Sequence, residues 1–206
     1  MGLRERKKQQ TRLAIAEAAR RLFGERGFDA VTVSDVAQEA DVSEGTVFNY
    51  FPTKEDLFYS PMEAFEADLV AAVAQRKTGE SVAAAFQRFV LERSAGLAER
   101  AELIATAVSV LTASPALRAR EREISAQYTQ ALAELIAEEA RKPRDDVEAA
   151  VVASALMGAQ RTLVHYVRAS VMAGRRGPDL TADARAQGRR AFKRLQRGLA
   201  DYAIKR

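Results

Sequence analysis

Residues 32 to 54, TVSDVAQEADVSEGTVFNYFPTK, place helix starts and stops so close together that only two very short helices and the opening of a third fit between them. Thr32 precedes an apolar periodicity and has Asp35 three residues on, an N-cap followed by an acid that favours the helix's positive end. Val36, Ala37 and Ala40 give the i, i+1, i+4 stripe of a helix buried on one side. Asp41 stands where a tight turn wants a left-handed residue, a conformation Asp tolerates better than most side-chain-bearing residues. Ser43 then caps a second helix beginning at Glu44, and Thr53, with Asp56 in the first turn, caps a third.

In the second helix Val47 and Phe51 are four apart and point one way, leaving Glu44, Thr46, Asn49 and Tyr50 on other faces and Gly45 without a side chain. One side packs and the other is free, which is the layout of a helix-turn-helix DNA reader. Lys54 falls at a helix amino end, where backbone N–H groups favour a phosphate. Upstream, Ile15, Ala19, Leu22 and Phe23 recur at helical spacing, and Gly27 followed by Phe28 reads as a glycine stop with a hydrophobic follower.

With Thr32, Ser43, Gly45, Thr46, Tyr50, Phe51, Lys54, Asp56 and Leu57 at these spacings, the stretch from Thr11 to Phe58 resembles the TetR family of bacterial repressors. The resemblance implies an all-α fold of about nine helices: a helix-turn-helix domain over residues 1–53 and a helical ligand-binding and dimerisation domain over 54–206. Carried over by position, Thr32, Tyr50 and Lys54 would grip phosphates, while Ser34, Glu44, Gly45, Thr46 and Asn49 would face bases. Ser43 and Phe48 complete the expected DNA-binding set. Two positions depart from the family's habit. Glu44 replaces a basic or amide residue; its carboxylate repels phosphate but can accept from cytosine N4, so it either specifies a base or merely caps the helix. Phe48 replaces a common tyrosine and keeps only thymine-methyl or packing roles. More loosely, PALRAR at 115–120 and the segment with Gly158, Ala159 and Arg161 resemble the effector domain of actinobacterial members, including the mycofactocin-system type.

The family implies a homodimer on double-stranded operator DNA, released by a small-molecule effector; no cofactor is expected, and one His, no Cys and acids spread along solvated helix faces argue against a metal site. Expected interface residues are Val151, Ala155, Ala159, Leu163, Phe192, Leu195 and Leu199. Small residues between Val147 and Val167 permit close helix approach, whether to a second copy or within the chain. The expected ligand pocket draws on Phe86, Phe89, Val108, Tyr128, Met157, Gln160, Arg161, Val164 and His165, an apolar set with a few polar groups. Arg161 suits either an acidic effector or an ion pair with Glu148 or Glu134. His165, the sole histidine, reads as a hydrogen-bonded or surface residue.

A net charge of +4 hides a polar distribution. Five basic residues against Glu5 open the chain through Arg12, and ten against Asp179, Asp183 and Asp201 close it from Arg175. The first group is either an arm for phosphate contact or a frayed terminus. In the second, Phe192, Leu195, Leu199 and Tyr202 form one stripe, so the arginines read as a solvated helix face. Zero Cys excludes disulfides, thiolate zinc sites and a Cys nucleophile. Without a charged leader or an apolar run near 18 residues, the expectation is a cytoplasmic protein with no membrane contact. Adjacent acids such as Glu138 and Glu139 point about 100° apart on a helix and do not converge, so an enzyme is not expected. A helical protein-interaction module would leave Thr32 and Lys54 unexplained.

Further on, Val82, Phe86, Phe89 and Val90 form one helical stripe, and Leu103 to Leu111 is apolar enough for a buried helix. Ser114 and Pro115 restart the chain, Pro143 ends the long helix that follows, and Asp145 or Asp146 begins the next. Gly174, Gly177 and Pro178 form a loop. Ser60, Pro61 and Glu63 match N-cap, N1 and N3 of a new helix, which predicts a break or kink at Ser60 inside what the family makes one continuous helix.

Overall fold

A computed structural model describes residues 2–199 as nine helices. The chain divides into two compact units, Met1–Ala64 with Thr106–Arg122, and Phe65–Ala105 with Glu123–Arg206.

The first unit begins with α1 (Leu3–Arg26). The basic amino-terminal segment is thus helical from Leu3 onward. Ile15, Ala19, Leu22 and Phe23 are buried, and Gly27 ends the helix at φ +82°, returning its N–H to the Phe23 carbonyl at 3.0 Å. Phe28 follows, buried against Phe23 with ring centroids 5.0 Å apart.

α2 (Val33–Glu39) starts with a reciprocal cap: the Asp35 N–H donates to Thr32 Oγ1 at 3.1 Å and the Thr32 N–H to Asp35 Oδ2 at 2.7 Å. Asp41 takes φ +53°, and the Val42 N–H closes the turn on the Ala37 carbonyl at 3.0 Å. α3 (Glu44–Tyr50) is capped by Ser43, whose hydroxyl accepts from the Thr46 N–H at 3.1 Å. Thr53 and Asp56 form a second reciprocal cap at the start of α4 (Lys54–Ala74), with bonds of 3.0 and 3.2 Å.

α4 corrects the expected break. Helical structure continues through Ser60 and Pro61, and Glu63 turns to Arg120 instead of back to a new N-cap. Pro61 lies on an exposed face while Ser60 is buried.

α5 (Val82–Arg93) is capped by Ser81, and Val82, Phe86, Phe89 and Val90 are all buried. α6 (Ala101–Ala113) is one-sided rather than enclosed, with Leu103 49% exposed. α7 (Pro115–Glu139) has Pro at its first position after Ser114. It stops before Pro143: Arg141 adopts φ +56° and the Lys142 N–H bonds back to the Ala137 carbonyl at 2.9 Å. α8 (Val147–Met172) is capped by Asp146 at 2.9 Å, and α9 (Gly177–Leu199) begins inside the expected loop, at Gly177 itself.

The second unit's core joins Leu69 and Val73 of α4, Phe86 and Phe89 of α5, Leu132 and Ile136 of α7, Leu156 and Met157 of α8, and Phe192 of α9. α9 fits closely: a Cβ on Gly188 would stand 3.0 Å from Leu91 and 3.2 Å from Leu163. By length and composition alone α8 qualifies for a membrane span, against expectation. Its alanines and valines raise its hydropathy, but one face of them lines this core.

Candidate nucleic-acid interface

The reader's caps fix its short helices, and its free face follows from their burial pattern. Val47 and Phe51 are sealed inside, at 0% and 2% exposure, so Glu44, Gly45, Phe48 and Asn49 are turned outward and Thr46 and Tyr50 stand half-buried at the edge. Phe48 is 47% exposed, a large apolar ring that the protomer leaves in water. Ser34 is exposed in the first turn of α2, and Thr32 and Ser43 are exposed at the two caps. All ten expected DNA-binding residues therefore lie on one compact unit, and none is buried.

Two cations rest on aromatic rings beside α3. Lys54 Nζ lies 4.3 Å from the Phe28 ring centre, and the Arg12 guanidinium 5.1 Å from that of Phe51. Arg12 was legible in the sequence only as part of a basic segment, since stacking on Phe51 joins residues 39 positions apart. Hydrogen bonds from the Thr32 hydroxyl and then the Thr32 N–H hold the Asp35 carboxyl below the ordinary aspartate range, while burial works against them. The carboxylate is thereby spent on the cap, where its charge offsets the positive end of α2.

The expected ligand residues are not brought together as a set. Phe86, Phe89 and Met157 fill the core, Gln160 is buried, Tyr128 packs beside them and Val164 is half-buried. Val108 belongs to the other unit, and Arg161 and His165 are exposed on α8. Arg161 meets neither Glu148 nor Glu134; its Nη1 donates to Ser125 Oγ at 3.0 Å, while Glu134 accepts from Gln130 and Arg144. One open cavity of about 320 Å³ lies elsewhere, lined by Gly96, Ala98, Glu99, Pro178, Thr181 and Arg185.

The expected dimer residues also separate. Val151 is 60% exposed, and Ala155, Ala159, Leu163 and Leu195 are half-buried. Phe192 is a correction: it is 1% exposed and stacks on Phe86 at 5.8 Å, so the protomer's own core consumes it. The Leu199 side chain and Tyr202 lie outside the described residues.

Comparison with known proteins places this geometry. The family described as "Bacterial regulatory proteins, tetR family" matches residues 15–60. The transcriptional regulator TcmR of Streptomyces glaucescens is 34% identical over 80 residues, 39% of this chain and 35% of that protein, so the match spans about a third of this relative's length. A TetR-family regulator from Streptomyces coelicolor shares the fold with a TM-score of 0.63 and 25% identity, over 94% of this chain and 96% of that one. SmeT, solved with triclosan, superposes with a TM-score of 0.60 at 14% identity, over 92% and 91% of the two chains. The family match identifies residues 15–60 as a DNA-binding region of the TetR family, and the fold shared along nearly the whole chain with a TetR-family regulator agrees with it.

Proposed function

We propose that the protein is a transcriptional repressor that binds a palindromic operator as a homodimer and is released by a small-molecule effector. The observation that carries this reading is the outward face of α3, where Glu44, Gly45, Phe48 and Asn49 are exposed around a sealed Val47. A helix of this width enters a major groove, and a two-fold dimer sets two such helices about 34 Å apart on successive turns. Thr32, Tyr50 and Lys54 then grip phosphates, Ser34, Glu44, Thr46 and Asn49 meet base edges, Phe48 meets a thymine methyl, and Ser43 orders the start of α3. The backbone of Gly45 approaches without a side chain in the way.

SmeT's complex with triclosan supports an effector role for the helical domain, here residues 54–206. Its ligand would be a small molecule enclosed by the apolar residues around Tyr128, Met157 and Gln160. Such a ligand releases DNA only by its differential affinity for two dimer conformations. The reading places the protein in the cytoplasm with its DNA and assigns it no cofactor.

Selection from a randomised duplex library, followed by mobility shift, tests the proposal. An enriched sequence with inverted half-sites is the expected result. Equal retention of selected and unrelated duplexes would rule out sequence-specific regulation.

A further inference from the structure

The motif PALRAR at 115–120 finds its role within the first unit. Ser114 is 1% exposed and donates from Oγ to Asp29 Oδ1 at 3.1 Å, reaching the link between α1 and α2. Leu117 is fully buried, and its carbonyl accepts the Tyr59 hydroxyl at 2.8 Å. Arg120 donates from Nη2 to Asp56 Oδ1 at 2.9 Å and to Glu63 Oε1 at 3.3 Å. Asp56 is the residue that caps α4 with its other oxygen, taking the Thr53 N–H. Just before this segment, α6 presses on α1 where Gly24 leaves room: a Cβ there would lie 3.0 Å from Thr106 Cγ2.

We infer that residues 114–120 are a clamp on the DNA reader and that Arg120 is a positioning residue for DNA binding. It acts through Asp56, which fixes Thr53 at the first turn of α4 and with it the end of α3 and the orientation of its base-facing side. The guanidinium is only 24% exposed and Asp56 9%, so the pair works largely out of water, where one unpaired partner is costly. Three polar contacts from one short segment, to Asp29, to Tyr59 and to Asp56 with Glu63, hold successive parts of the reader in one arrangement. The inference rests on the DNA-binding reading, and it assigns a task to residues far from any base.

The test uses the full chain and the duplex that the wild-type protein enriches from a randomised library. Arg120→Ala weakens that duplex roughly tenfold while affinity for an unrelated duplex and the salt slope stay unchanged. Arg120→Lys recovers part of the loss, and Arg122→Ala, at an exposed neighbour, recovers nothing because it loses nothing. Tyr59→Phe, which removes one hydroxyl, shows a smaller selective loss and decides the matter if Arg120→Ala does not fold. Selective binding within about twofold of wild type, or equal loss on both duplexes, overturns the clamp. A library in which the wild type enriches nothing overturns the DNA-binding reading as well.

Discussion

Arg76 is a charge taken wholly out of water: its side chain is 0% exposed, yet Nη2 reaches Glu139 Oε2 at 2.5 Å, Nη1 the Val73 carbonyl at 2.9 Å and Nε the Glu80 carbonyl at 3.0 Å. It ties the end of α4, the following turn and the end of α7 together. Arg76→Ala leaves these acceptors unmatched and is expected to destabilise the protein by about 3 kcal/mol, measured by urea unfolding. At the reader, Lys54→Ala should weaken all duplexes alike and lower the salt slope by about 1, read from affinities across a salt series. Glu44→Ala should instead change the base preferred in a library selection, and unchanged selection would deny Glu44 a readout role. Thr32, Asp41 and Ser43 were legible in the sequence because each signal acts over a few residues. Arg120 and Asp56 are 64 positions apart, and no local pattern couples them.

Among the elements, α2 and α4 show how far a capping signal can be trusted. Thr32 with Asp35 and Ser60 with Glu63 carry the same spacing, but only the first makes a cap. At Ser60 the buried side chain and the pull of Arg120 on Glu63 keep α4 continuous, so tertiary packing overrides the local start. Glu63 itself is raised, first by burial and then by the nearby Asp56 charge, with Arg120 opposing. Its neutral form is therefore favoured in the folded state, a contribution that grows as pH falls. Asp35 has the opposite sign: its lowered carboxyl stabilises α2 above the ordinary aspartate range and that support disappears as pH falls through the folded value. Asp35→Asn should remove this part of the acid limb in stability against pH, and an identical limb in the variant would refute the assignment.

For the molecule as a whole, the proposed homodimer requires an apolar surface that a second copy would cover. Val147, Val151 and Met172 are 75%, 60% and 52% exposed, and at helical spacing Met172 returns to within roughly 20° of Val147. Val147 and Val151 form an exposed apolar pair at the start of α8 and Met172 returns to the same side at its end, with small residues such as Ser154 and Gly158 and the exposed His165 between them. The sequence pointed to α8 and α9 together, because an amphipathic stripe looks the same whether it faces its own core or a partner. In α9 the stripe turns inward through Phe192, and the exposed side carries Arg189, Arg190, Lys193, Arg194 and Arg197. The two helices therefore predict different failures. Val151→Glu places a charge in the proposed two-fold contact, where it meets its own copy. It should yield a folded monomer by sedimentation and, with only one reader per particle, lose the cooperative grip on a palindrome while keeping weak half-site binding. Phe192→Ala empties core volume beside Phe86 and should cost about 3 kcal/mol in unfolding without such a change in association. If Val151→Glu remains a dimer, α8 is not the contact, and the apolar residues it leaves exposed must serve a different partner.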